Sequence, residues 1–347
     1  MLYKGMKVGD VIISGAEEMR IPWRRNVSCM RRNDLQRGFT PFECYAIISG
    51  NQNYVQWCGL KIKGGLEVIM SYKIVADSCC EFPTEYKNDP RYERVALGLE
   101  VNGEVIMDDE TFDQAEFLKK VAASPNCPKS FCPSPEKFLE AYQTDAENIF
   151  VFTLSSKLSG SYNSAELGKQ LYHEKFGKKN IFICDSESAS CGETQQAFKA
   201  IQLLEEGLPF EEVCQKLIEY RDNMNTYFVL DNLETLRKNG RLTGVKALVA
   251  STLSIKPVMG AEKGEIIQLG QAIGIKKALA KMVERVVTEA VNPEDKTLMI
   301  THCNCIERAE SVKKMILEKI KVKNVVIMDT KGVSSMYAND GGVIVTL

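Results

Sequence analysis

Three short apolar runs, each ending in polar residues, constrain this chain more than anything else in it. They are "YKIVADS" (72–78), "NIFVFTL" (148–154) and "NIFICDS" (180–186). Each reads as a buried strand that delivers polar residues at its carboxyl end. Helical patterns lie between and after them: "SAELGKQLYHEKF", "ETQQAFKAIQLLEEG" and "PFEEVCQKLIEYRDNM", the last with Pro209 near its amino end. Strands alternating with helices predict a parallel sheet covered on both faces, an α/β fold. "RVALGLEVNGEVIMDD" reads as two strands joined at Asn102-Gly103, a hairpin turn pair. "TFDQAEFLKKVAAS" reads as a helix with Thr111 as its cap.

The pattern changes near Tyr227. "TYFVLDNLETLRKNGRLTG", "STLSIKPVMGAEKGEIIQLG", the long helix "GIKKALAKMVERVVTEAV", "KTLMITHCN", "NVVIMDT" and "GGVIVTL" make a second α/β series. Two domains are expected, 70–225 and 226–347. At 347 residues the chain is long enough for both. The first 69 residues differ from the rest: both tryptophans, Trp23 and Trp57, lie there, with six arginines between Arg20 and Arg37. "EVIM", ending at Met70, can be encoded by a purine-rich stretch just ahead of an ATG. The expectation is that Met70 is the start and that 1–69 is leader translation or a disordered extension.

A net charge of −2 carries no signature of a nucleic-acid partner. No apolar run reaches the ~20 residues needed for a membrane span. The twelve cysteines do not fall at zinc-finger spacing and read as reduced thiols in a cytoplasm. His302, Cys303 and Cys305 lack an evident fourth ligand, so no metal is expected. Cys79 and Cys80 read as small hydrophobes near a ligand, and Gly264 and Gly270 as turns.

"LSSKLSGSYNSAELG" (154–168) poses the functional question. Its serines are either a nucleophile or a cradle. A serine hydrolase needs a histidine base, and the chain has two, His173 and His302. No G-x-S-x-G elbow is present. His173 sits at a lysine-flanked helix end and reads as surface, whereas His302 follows an apolar strand. An acyl or phosphoryl hydrolase or transferase using Ser159 and His302 is the enzymatic alternative. As a cradle, Ser159 and Ser161 offer donors, Gly160 admits close approach, and the following helix points its amino end inward.

"YKIVADS", "LSSKLSGSYNSA", "ICDSESASCG", "LDNLETLRKNGRL", "LSIKPVM" and "NDGGVIVTL" together resemble the DegV family of bacterial fatty-acid-binding proteins. The resemblance spans about Ser71 to Leu347. It implies two α/β domains with a long-chain fatty acid in an apolar tunnel between them, and no cofactor besides that ligand. It also implies presentation of the carboxylate to a fatty-acid kinase and a role in phospholipid metabolism, without catalysis by the chain itself. By motif, Ser159, Gly160, Ser161, Ser130 and His302 are expected at the carboxylate. Asp77, Ser78, Asp185 and Ser186 should shape the cleft, with Arg241 structural. Phe131, Ile255 and Met259 are the expected tunnel lining. Phe131 and Cys132 stand where the family pattern has Ser and Gln, and Ile273 stands where it often has Arg.

Overall fold

The structure, a computed structural model, describes residues 45–48, 55–58, 71–83, 86, 88–242 and 254–347. The chain falls into two units, Met1–Met70 and Ser71–Leu347. In the first, β1 (Tyr45–Ile48) and β2 (Val55–Cys58) pair antiparallel. The expectation about a start at Met70 rests on residues outside those described.

In Ser71–Leu347 the three apolar runs become β3 (Tyr72–Asp77), β8 (Asn148–Thr153) and β9 (Asn180–Asp185). With β4 (Tyr92–Val95) they form a parallel sheet in the order β4-β3-β8-β9. The runs are apolar throughout because both faces are covered. Ile74, Ala76, Phe150 and Phe152 pack under α4 (Cys191–Glu205) and α5 (Phe210–Asp222). Val75, Ile149 and Val151 face α2 (Pro135–Tyr142) and α3 (Ser161–Phe176) on the other side. Successive side chains point to opposite faces, so each face needs its own apolar set.

A three-stranded antiparallel sheet, β6-β5-β7, flanks this one, built from β5 (Gly98–Val101), β6 (Glu104–Met107) and β7 (Lys129–Phe131). Its hairpin turns at Asn102 (φ 51°) and Gly103 (φ 84°), the left-handed pair that the sequence signals. The helix that follows, α1 (Gln114–Ala123), is capped by Asp113, whose carboxylate accepts from Glu116 N. Thr111 instead bonds Asp109, two residues too early to meet the first free amides.

The strands from Thr226 onward make one mixed sheet, β12-β11-β10-β15-β13-β14. They are β10 (Thr226–Val229), β11 (Ile255–Glu262), β12 (Glu265–Ile273), β13 (Thr297–His302), β14 (Asn324–Asp329) and β15 (Val343–Thr346). Gly264 is in the β11–β12 turn, at φ 81°. Gly270 is not in a turn: it lies inside β12, opposite Val258 and beside a register shift. One face of the sheet packs under α7 (Ile275–Glu289) and α8 (Ile306–Leu317) through Met282, Val283, Val312 and Ile316. The other face presents Phe228, Leu230, Met259 and Ile266, joined by α6 (Glu234–Lys238). A last short helix, α9 (Gly332–Ala338), was not expected from the sequence.

Candidate ligand-binding site

The polar residues at the strand ends hold the loops that follow. Asp77, fully buried at the end of β3, accepts from Leu154 N (3.0 Å), Cys79 N (3.0 Å) and Ser161 Oγ (2.6 Å). Burial pushes its carboxyl up to about 6, against the pull of these three donors. Ser78 donates to Asp108 (3.0 Å) and accepts from Leu97 N (3.0 Å). Asp108 in turn accepts from Gly332 N (2.7 Å) and Val333 N (2.8 Å), fixing the start of α9. A Cβ at Gly332 would lie 2.6 Å from the Asp108 carboxyl carbon, so this approach requires glycine. At the end of β9, Asp185 accepts from Ser156 N and Glu187 N, and the Ser186 hydroxyl donates to Ser188 O.

These loops and the inner face of the mixed sheet line a cavity with about 840 Å³ of space not filled by protein atoms, part of it open to solvent. Leu97, Leu154 and Leu158 line it from one side, and Phe228, Leu230, Leu236, Ile266 and Ile344 from the other. Val333, Tyr337 and Ala338 of α9 complete the apolar wall.

One cluster of wall residues is polar: Ser130, Ser159, Tyr337 and Arg241. Ser130 Oγ and Tyr337 OH share a hydrogen bond of 3.0 Å. The Arg241 guanidinium is 5.8 Å from the centre of the Tyr337 ring. Arg241 is anchored through its Nε on Leu158 O (3.2 Å) and through Nη1 on Asn239 O. Burial raises the Tyr337 hydroxyl above its usual range, so it stays a neutral donor. Ser159 Oγ accepts from Ser161 N (3.2 Å), which leaves its own proton to donate outward. Arg241 is the only cation among the described wall residues. The wall's acid, Glu187, faces Arg221 at 3.8 Å. The Ser159 hydroxyl, the free proton of the Ser130–Tyr337 pair and a guanidinium on the wall of an apolar cavity suit an anionic head on an apolar body.

The chain matches the family model DegV, described as an uncharacterised protein of the DegV family, over residues 71–346. The chain belongs to the DegV family. A DegV domain-containing protein of Streptococcus gordonii is 33% identical over 279 residues, covering 79% of this chain and 98% of that protein. A DegV-family crystal structure from Ruminococcus gnavus, refined with vaccenic acid, is 51% identical with a TM-score of 0.78. It covers 80% of this chain and 100% of its own. The Streptococcus pneumoniae Fatty Acid Kinase (Fak) B3 protein, loaded with linoleic acid, is 30% identical with a TM-score of 0.70, over 80% of this chain and 99% of its own.

Within this DegV fold the residues expected at the carboxylate do not all converge. Ser130 and Ser159 are on the cavity wall. Ser161 is turned away, buried and bonded to Asp77. Gly160 caps α3 on the exposed side, where a Cβ would lie 3.0 Å from Cys132 Sγ. His302 is buried at the end of β13 and off the wall. Its Nδ1 accepts from Cys305 N (3.3 Å) and lies 3.3 Å from an Asp329 oxygen. Among the described residues no hydrogen bond joins it to Ser159.

The expected lining also differs. Phe131 is 46% exposed, because strand alternation that turns Ser130 inward turns Phe131 outward, onto Gly98. Ile255 is half-buried and off the wall. Met259 is fully buried beside Phe228, its partner across the strands, and is not among the wall residues. Cys79 lines the cavity, whereas Cys80 points under α4 toward Thr194. Among the described residues no group of His, Cys, Asp and Glu is arranged to hold a metal ion. Also among them, no helix is long and apolar enough to cross a membrane.

Sequence reasoning missed Tyr337 as a site residue. Its signal was present: Val333, Met336 and Tyr337 stand at i, i+3 and i+4, the spacing of one helix face.

Proposed function

We propose that this protein binds a long-chain fatty acid in the cavity, with the carboxylate held by Ser130, Ser159, Tyr337 and Arg241. The observation that carries the reading is the largely apolar cavity in which a group of polar wall residues includes the only cation among the described wall residues. The tail runs along the leucines and Phe228 and contributes ~0.8 kcal/mol per buried CH₂. Sixteen carbons give ~12 kcal/mol gross, against the cost of ordering the chain. The head group cannot be buried unpaired, and the four residues supply donors and a counter-charge. The bound vaccenic acid in the Ruminococcus gnavus relative and linoleic acid in the Fak B3 protein support the same ligand class.

The protein serves as a carrier. It presents the carboxylate to a fatty-acid kinase, and residues 70–225 and 226–347 are the two domains flanking the ligand. The free cysteines suit a reducing cytoplasm. Ligand extraction from natively purified protein, followed by mass spectrometry, tests the reading. The expected result is roughly one acyl chain per protein. Protein that carries none and takes up neither palmitate nor oleate overturns it.

A further inference from the structure

The cavity wall also holds hydroxyls far in character from a head-group site. Ser188, Ser190, Thr226, Ser334 and the Cys79 thiol all line it. An acyl chain packed against free hydroxyls would strip their water and leave them unpaired. Each of these groups has its partner inside the protein. Ser188 and Thr226 bond each other at 2.7 Å. Ser190 and Ser334 converge on Glu81, a fully buried residue in the segment after β3, and Cys79 contacts both serines. Ser190 donates to Glu81 Oε2 at 2.8 Å, and Ser334 faces the same carboxyl and stabilises its charge. Lys331 N lies 3.4 Å from its other oxygen. Cys79 Sγ accepts from Ser190 N at 3.2 Å and is 3.6 Å from Ser334 Oγ.

Ser190 caps α4 at φ 58°, a left-handed conformation that is unusual for a residue with a side chain. Strain of this kind persists where surrounding contacts over-determine it. Glu81 therefore binds the cap of α4 and the first turn of α9 at once, from behind the wall they form.

Resting on the fatty-acid reading, we infer that Glu81 is a positioning residue: it draws the Ser190 and Ser334 hydroxyls behind the cavity surface and so selects for an unsubstituted acyl chain. With Glu81 removed, Ser190 keeps Thr301 as a neighbour at 2.8 Å. Ser334 is left with the weak Cys79 contact, so its hydroxyl is the more fully released of the two.

The test compares the affinities of palmitate and 12-hydroxystearate, an acid with a hydroxyl midway along its chain. In Glu81→Leu, palmitate binding is expected to weaken about tenfold, and 12-hydroxystearate binding to weaken less. Adding Ser190→Ala and Ser334→Ala to Glu81→Leu removes the released hydroxyls and is expected to restore most of the palmitate affinity. Glu81→Gln keeps one acceptor oxygen. It should shift the ratio part-way, and it carries the test if the leucine variant does not fold.

A wild type that binds palmitate, with a ratio that stays fixed in the variants, overturns the role of Glu81 alone. So does a loss of both ligands that the triple variant does not recover. A wild type that takes up neither acid overturns the fatty-acid reading and this inference with it.

Discussion

Serines touch the cavity in two places and do opposite things there. At the proposed head-group cluster, Ser130 bonds Tyr337, Ser159 accepts from an amide, and Arg241 is alongside. No carboxylate takes up these hydroxyls, so their donors remain available to a ligand. Around Cys79, Ser190 and Ser334 the protein supplies its own carboxyl, Glu81, and the donors are turned inward. Asp77, Asp108 and Glu193 are buried in the same layer, and burial raises all four acids. The serine itself decides nothing; whether a neighbour takes up its proton does. In the proposed complex the contrast also orients the ligand, because a carboxylate is drawn to Arg241.

The largest test of this contrast is Asp77→Ala. It strands Leu154 N, Cys79 N and the Ser161 hydroxyl in a dry interior. The expected loss is on the order of 4 kcal/mol in denaturant unfolding, since each stranded donor costs ~1–3 kcal/mol. Substitution at Ser130 or Ser159 should change the same measurement by less than ~1 kcal/mol. A head-group variant as destabilised as the Asp77 variant would erase the distinction.

The next effect is on pH dependence. Glu81 is pushed from 4.5 up to about 7 by burial, with the Asp108 charge adding to the rise. An unfolded chain releases this proton near pH 4.5, and the folded one keeps it to about pH 7. Between those values the folded state binds more protons, so stability falls as pH rises. The contribution is complete below pH 4.5, amounts to ~3 kcal/mol and is gone above pH 7. Asp77 acts with the same sign between 3.8 and about 6. Urea midpoints at pH 5, 6 and 7 should therefore decline, and less steeply in Glu81→Gln. Equal slopes in the two proteins would show that Glu81 does not hold the proton.

A smaller effect is expected on binding. Ser130→Ala with Ser159→Ala should weaken palmitate affinity about thirtyfold, ~2 kcal/mol for two lost donors. Calorimetry checks this, and an unchanged Kd would remove both serines from the site.

How much of this could be read in the sequence follows from how local each feature is. The parallel sheet was legible because β3, β8 and β9 are covered on both faces and must be apolar at every position. The hairpin at Asn102-Gly103 was legible because two left-handed residues need that chemistry. Ser130 and Ser159 were placed on their motifs. The direction of a neighbouring side chain was not legible, since one step along β7 separates the wall residue Ser130 from the outward Phe131. Ser161 looked like a donor to a ligand because its partner, Asp77, is 84 positions away in the chain. His302 looked like a ligand because it ends a strand, yet its Nδ1 is occupied by the turn that follows. The motif predicts a structural Arg241, and its Nε does donate to the Leu158 carbonyl, but the same residue also reaches the cavity wall. Tertiary partners decided every one of these, and no local spacing encodes them.

The smallest effect is the most discriminating. Tyr337→Phe removes one oxygen and keeps the ring beneath Arg241. If the phenol donates to the carboxylate, its loss should weaken palmitate binding by ~1 kcal/mol, about fivefold. Ser130 shares a hydrogen bond with that oxygen, so the two residues act as one donor pair. Loss of the phenol frees the Ser130 hydroxyl to turn to the ligand, and part of the binding is recovered. The double variant Tyr337→Phe with Ser130→Ala should therefore lose more than the sum of the single losses, with a coupling of ~0.5–1 kcal/mol. Strict additivity would mean that the 3.0 Å contact between them does not matter once a ligand is bound. In that case Arg241 and Ser159 hold the head group by themselves, and the division between outward and inward hydroxyls narrows to a single serine.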